Sequence, residues 1–223
     1  MSVELKDFDA KTKCVFVSVD IQQGNPPVKL RNAELPELWR TMGFSADDVN
    51  AANEFAWTTA YPNAVTVAAA CGAAGIPRIF IHWGFHFRDG MDLDPEIRDS
   101  MLAEHGDDFK KWSGYIGDPG SRPLIRFNIR PRDYVIAKTG QDAFLSSTLD
   151  FVLRNLKIER IIFVGGHTEA CFGKTARSAK ARGYQTLCVE DATFNAREST
   201  RMKGIEESDF DVVVSAFDLL SVL

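Results

Sequence analysis

The feature that most limits what this chain can fold into is a series of short, almost uninterrupted apolar runs rich in β-branched residues. Residues 13–20 form the first and end in a carboxylate, Asp20. Residues 76–82 form the second, after an Ala-rich helical stretch from about Pro62 to Ala74 that stops at Gly75. Residues 133–138, 160–165 and 185–190 supply three more, and 212–214 with 217–220 close the chain. Between the later runs, Leu145, Leu149 and Val152 recur at helical spacing within 144–155, and residues 168–182 read as a helix ending at Gly183. Strands that do not alternate apolar with polar residues are covered on both faces, and strand–helix alternation predicts parallel βαβ units. The expected class is therefore α/β, an open, mostly parallel sheet with helices on both faces. At 223 residues, one domain over 1–223 is expected, since that length suits a single core.

Two stretches break this rhythm. Residues 83–132 are rich in Gly, Pro, Asp and aromatics with weak periodicity, and residues 24–53 are similar. Both are expected to form long loops or lids over one end of the sheet. The aromatic stretch from Trp83 to Trp112 suits either a subunit interface or a loop anchored on its own domain. A formal charge of −5 with both signs interspersed gives no basic face for nucleic acid or an anionic membrane. The apolar runs are too short to span a bilayer. Residues 1–13 alternate charged and apolar types, so no signal peptide is expected and the expected location is the cytoplasm.

In an open parallel sheet, ligands bind beyond the carboxyl ends of the strands. Asp20, His82, Lys138 and the turn over 165–171 all stand at or just past such ends. Of the four cysteines, Cys14 and Cys188 fall inside strand runs and Cys71 inside the Ala-rich helix, where a thiol behaves as a small hydrophobe. Cys171 instead opens a helix. With Thr168 as N-cap it would lie in the first turn, where unpaired amides favour a thiolate or an oxyanion. A structural Cys packing that turn is the alternative. Singly, Asp20 could merely cap a turn and Lys138 merely be solvated. Together they supply what a thiol nucleophile needs: a base, and a cation that orients the base. His82 and His86 stand four apart, but Trp83-Gly84 interrupts the pattern, so packing or substrate contact is preferred to metal binding. No metal and no cofactor is expected.

Gly165-Gly166-His167-Thr168-Glu169-Ala170-Cys171, then Thr175-Ala176-Arg177, Arg182-Gly183-Tyr184 and Val189-Glu190-Asp191-Ala192, resemble the isochorismatase-like cysteine hydrolases. Val19-Asp20-Ile21-Gln22 and the segment beginning Lys138-Thr139-Gly140-Gln141 match the other two signature regions. The resemblance implies a six-stranded parallel sheet in a Rossmann-like three-layer fold, and a catalytic set of Asp20, Lys138 and Cys171. It also implies a cis bond between Gly166 and His167, and hydrolysis of a small amide, ureide or N-carbamoyl compound, biuret-like, through an acyl-enzyme. Ala170 and Cys171 would offer the oxyanion amides. Gln22, His82, His86, Gln141 and Glu169 would contact substrate from the same rim. A homodimer or homotetramer is implied as well. The chain departs from the family pattern at His167, Glu169 and Gly140, where a small or aliphatic residue, Asn and Arg are frequent. The Asp/His metal site of one branch has no counterpart in residues 23–27. Vinyl ether hydrolysis on the same scaffold, or a silent binding protein, are the competing readings.

Overall fold

The apolar runs become six parallel strands: β1 (Cys14–Val19), β2 (Arg78–Trp83), β3 (Tyr134–Lys138), β4 (Arg160–Gly166), β5 (Gln185–Phe194) and β6 (Val212–Val214). Their spatial order is β3-β2-β1-β4-β5-β6, and every neighbouring pair is parallel. This computed structural model describes residues 3–8, 13–24, 29–35, 40 and 43–223. The principal helices are α1 (Ala46–Phe55), α2 (Tyr61–Ala73), α3 (Pro95–His105), α4 (Ala143–Ser146), α5 (Leu149–Asn155), α6 (Cys171–Ala181), α7 (Glu198–Glu207) and α8 (Ala216–Leu220).

The period of two sorts each strand between the two faces. Val15, Val17 and Val19 of β1 join Ile79, Ile81, Ile161 and Phe163 under α4, α5, α6 and α7. Phe16 turns the other way, joining Phe80, Ile162, Val164 and Leu187 under α2 and α8. Helices thus cover both faces of an open sheet. Among the described residues no helix is long and apolar enough to cross a membrane.

Several local readings change. The helix expected over 144–155 is two helices, because Ser147 Oγ bonds back to Ala143 O and accepts from Leu149 N. A serine hydroxyl competing with the backbone ends the first and starts the second. β5 runs past Glu190 to Phe194, across a register shift opposite Phe163 to Gly165. The excursion over 83–132 contains α3, started by Pro95 at its first position and by Asp94, whose side chain accepts from Glu96 N. It also has a small core of its own, with Phe85, Leu93 and Trp112 buried. Of the flap expected over 24–53, residues 25–28, 36–39 and 41–42 lie outside the described residues. Its last part is helical: α1 is capped by Ser45 and Asp48 and runs through a π-turn, Ala56–Ala60, into α2.

The sheet order sets the site. The chain leaves β1 toward β2 on one side, and β4 later docks on the other. The carboxyl ends of β1 and β4 therefore flank a topological switch point, where an α/β sheet opens a crevice.

Candidate active site

Asp20 is the first residue past β1 and sits at φ +56°, in the left-handed region that few residues other than Gly adopt. Its amide still bonds to Ile81 O at 3.0 Å. Beside it, Gly165 of β4 has φ +120°, and a Cβ there would meet Val19 O at 2.1 Å, so only glycine fits against β1. The following Gly166–His167 bond is cis, and α6 begins at Cys171. The expected cap, Thr168, is instead wholly buried, its Oγ1 3.4 Å from Thr200 O, and Ala170 takes the cap position.

Lys138 closes β3, two strands from β1, and reaches across. Its ammonium has three hydrogens and three acceptors: Asp20 Oδ2 at 2.9 Å, Cys171 Sγ at 3.1 Å and Gly140 O at 3.2 Å. The Trp83 ring lies 5.4 Å from the same nitrogen. Lys138 is fully buried. Burial opposes its charge, but Asp20 and Cys171 outweigh that and hold its pKa above the ordinary value. Cys171 responds the other way. Burial and then the Asp20 carboxylate push its thiol up to about 12, against the pull of Lys138. Burial and Asp20 both act against the thiolate that a helix start alone would favour. Asp20 Oδ1 is buried with no hydrogen-bond partner among the described residues, so an unoccupied acceptor belongs to the same cluster.

Cys71 is also pushed up to about 12 and Cys188 well above the ordinary value, in both cases chiefly by burial. What sets Cys171 apart is access and company. Cys14, Cys71 and Cys188 are buried, whereas Cys171 is partly exposed.

The other expected site residues divide. Of the two amides proposed for an oxyanion, Ala170 N–H is occupied by His167 O at 3.0 Å, while Cys171 N–H has no acceptor among the described residues. Gln22 does not offer its amide to a ligand. Its Oε1 accepts from Trp83 N at 3.0 Å, and its Nε2 donates to Trp83 O at 3.1 Å and Ser121 O at 2.8 Å, pinning two loops together. His82 is buried, its pKa lowered chiefly by burial, and its Nδ1 has no hydrogen-bond partner among the described residues. It shares with the exposed His86 an open cavity of about 680 Å³, together with Arg122, Leu124 and Val135. That cavity lies beside the Asp20–Lys138–Cys171 cluster and is not lined by it. His86 is bound to Asp92 Oδ2 through Nδ1 at 3.0 Å. Gln141 lines a second cavity of about 390 Å³ with Asp94 and Lys174. Glu169 is partly exposed. No group of three or more His, Cys, Asp or Glu placed to hold a metal occurs among the described residues.

Three contributors escape a reading of the sequence. Trp83 pairs in register with Lys138, and strand alternation would have placed both on one face. Gly140 contributes only its carbonyl, which no residue type signals. Asn195, just past β5, is 2.8 Å from His167 Nδ1 through its Oδ1, and its one sign is a polar residue directly after a buried strand.

A model of the isochorismatase domain matches residues 42–216, and the chain belongs to that family, the isochorismatase-like hydrolases. The matched span contains Lys138 and Cys171 and begins after Asp20. Among curated proteins the chain is similar to the ureidoacrylate amidohydrolase RutB of Variovorax paradoxus (strain S110), at 31% identity over 103 residues, 46% of this chain and 36% of that protein. It is also similar to the uncharacterized isochorismatase family protein YwoC of Bacillus subtilis (strain 168), at 30% over 122 residues, 53% and 59% of the two chains. Neither match reaches two thirds of the relative's length. Among solved structures, an isochorismatase family protein from Desulfovibrio vulgaris superposes with a TM-score of 0.70 at 19% identity, covering 94% of this chain and 97% of that one. N-carbamoylsarcosine amidase from Thermoplasma acidophilum does so at 0.59 and 20%, covering 91% and 96%. At such identities the likeness establishes the fold.

Proposed function

We propose that the chain acts as one hydrolase domain that cleaves the C–N bond of a small amide, ureide or N-carbamoyl compound, with Cys171 as nucleophile. The observation that carries this reading is the Lys138 ammonium, which bonds Asp20 Oδ2 and Cys171 Sγ together at the switch point. The names of two relatives, an amidohydrolase acting on a ureido compound and an N-carbamoyl amidase, support the substrate class.

Before attack the proton is taken to sit on the Cys171 thiol, beside Asp20, since burial and Asp20 both disfavour the thiolate. As substrate binds, Asp20 takes the Cys171 proton while sulfur attacks the carbonyl carbon, and the C=O electron pair moves to oxygen. The Cys171 amide stabilises that oxyanion. The Ala170 amide would join it only by leaving His167 O. As the intermediate collapses, the C–N bond breaks and Asp20 returns its proton to the departing nitrogen. Water then attacks the thioester, giving its proton to Asp20, and collapse releases the acid and regenerates the thiol. Lys138 remains charged throughout. It balances whichever of the carboxylate or the sulfur bears the negative charge, so the proton moves between them without leaving an uncompensated charge in a buried site.

The test is ammonia or amine release from a panel of biuret, N-carbamoyl amino acids, ureido acids and simple amides. Turnover of at least one, abolished in Cys171→Ala, is expected. No turnover of any member, or full activity in Cys171→Ala, would refute the proposal.

A further inference from the structure

We propose that His167 is a specificity-determining residue whose Nε2 accepts a hydrogen bond from an N–H of the bound substrate. It would select carbonyl compounds bearing a free amide or ureide nitrogen over esters and fully substituted amides. The inference rests on Cys171 being the nucleophile.

A chain of directed hydrogen bonds fixes the tautomer. Thr200 Oγ1 gives its single hydrogen to Arg197 O at 2.9 Å, so toward Asn195 Nδ2, 3.0 Å away, it is the acceptor. That fixes the Asn195 amide with its oxygen toward His167, where Oδ1 is 2.8 Å from Nδ1. A carbonyl oxygen only accepts, so Nδ1 carries the hydrogen, and in a neutral imidazole the remaining nitrogen, Nε2, is then an acceptor. The ring is neutral at pH 7, since burial, the largest influence, lowers its pKa. Orientation is fixed as well. The ring packs on Phe194 with centroids 5.2 Å apart, and the His167 carbonyl receives the Ala170 and Phe172 amides, which ties the residue to the first turn of α6. Nε2 has no partner among the described residues and is not among the buried, unsatisfied atoms. His167 stands on the turn that leads into Cys171, the first residue of α6, and the charges of Asp20, Glu169 and Lys138 all act on its ring.

The chemistry of the site leaves a need for such an atom. Asp20 Oδ1 is the other acceptor at the site without a partner among the described residues, but Asp20 takes up the thiol proton during attack, so an N–H of the substrate needs a second acceptor. The Cys171 amide is a donor, suited to the substrate oxygen. The three hydrogens of Lys138 are all matched, and the Gln22 amide is tied to Trp83 and Ser121. An amide or ureide nitrogen brings N–H groups that need an acceptor, and His167 Nε2 supplies one.

The test reads selectivity at the thiol without requiring the natural substrate. Second-order rate constants for alkylation of Cys171, located by peptide mapping, are measured with iodoacetamide and methyl iodoacetate, and each is divided by that of glutathione. One reagent carries an N–H and the other does not. The wild-type enzyme is expected to favour the amide by about fivefold over the glutathione ratio, and His167→Phe, which keeps a ring against Phe194, to lose that preference. A wild-type ratio equal to that of glutathione, or a full preference retained in His167→Phe, would overturn the proposal. Should His167→Phe fail to fold, nitrogen-15 NMR of the wild-type imidazole decides. Hydrogen on Nδ1 and none on Nε2 supports the proposal, and hydrogen on Nε2 overturns it. First labelling at a cysteine other than Cys171 would refute the nucleophile assignment instead, and the tautomer measurement would then decide the fate of the acceptor.

Discussion

Replacing Asp20 with Asn should make Cys171 a better nucleophile toward a simple alkylating agent and a much worse one in catalysis. Two charges act on the sulfur in opposite directions: the Asp20 carboxylate raises its pKa, and Lys138, 3.1 Å away, lowers it. Asp20→Asn removes the first and leaves the second, so whatever thiolate forms has Lys138 to itself as counter-ion. A charge at such range changes proton affinity by roughly 1.4 to 4 kcal/mol, or ten- to a thousandfold in thiolate population. The less basic thiolate gives back about half of this on a logarithmic scale, leaving alkylation roughly three- to thirtyfold faster than wild type. Burial remains the largest influence on the thiol, so the variant's thiol stays less acidic than an exposed one. Turnover should fall by roughly a hundred- to ten-thousandfold for want of the base. The assay pairs iodoacetamide labelling at pH 8, quantified by peptide mapping, with ammonia release by the same preparation. Labelling no faster than wild type would show that Asp20 does not hold the thiol neutral. Unimpaired turnover would show that it is not the base.

Lys138→Met should slow both reactions: 332/(20 × 3.1) is about 5 kcal/mol of attraction between ammonium and thiolate at an effective dielectric of about 20, and labelling at wild-type speed would remove Lys138 from the account. Asp133→Ala should cost about 3–5 kcal/mol by urea unfolding, because it leaves Arg78 charged and buried without its partner. Burial works against the Asp133 charge, but hydrogen bonds from Arg78 and from Arg130 N–H outweigh it and keep its pKa below the ordinary carboxylate range. The pair's contribution is therefore complete above the unfolded-state pKa of about 3.9 and is lost as pH falls through the lower folded value. The thermal midpoint of Asp133→Ala should converge on that of wild type in strong acid, and a constant gap would contradict this. Gln22→Leu should lower stability by about 1–3 kcal/mol while leaving the order of preference among ureides unchanged, and a reordered preference would make Gln22 a substrate contact after all. Sedimentation at micromolar concentration should show a homodimer or homotetramer, as the family resemblance implies, and a strict monomer would remove that expectation.

The strands were legible because buried parallel strands leave an unmistakable trace in composition, and the rim followed from where they end. Asp20, Lys138 and Cys171 were nameable for that reason. Each follows or closes a strand, and the sheet order carries the three to one crevice. Contacts between distant segments were not legible. The Gln22 amide is occupied by Trp83 and Ser121, 61 and 99 residues away, and nothing near Gln22 announces it. That Asp20 would raise the Cys171 pKa followed from placing both on one rim, but that burial would be the larger influence did not, because it depends on how the turn packs. By contrast α3 was missed although its signal is local. Asp94-Pro95-Glu96 is a helix start, obscured by the loop-like composition around it.

The proposed chemistry passes through a covalent intermediate on Cys171, which rapid-quench intact-mass measurement during turnover of an active ureide or amide detects. A transient mass increase equal to the acyl or carbamoyl group is expected, mapping to the peptide that contains Cys171 and absent from Cys171→Ala, whose turnover falls by about a thousandfold or more. Steady turnover with no adduct at any quench time, together with substantial activity in Cys171→Ala, would contradict it.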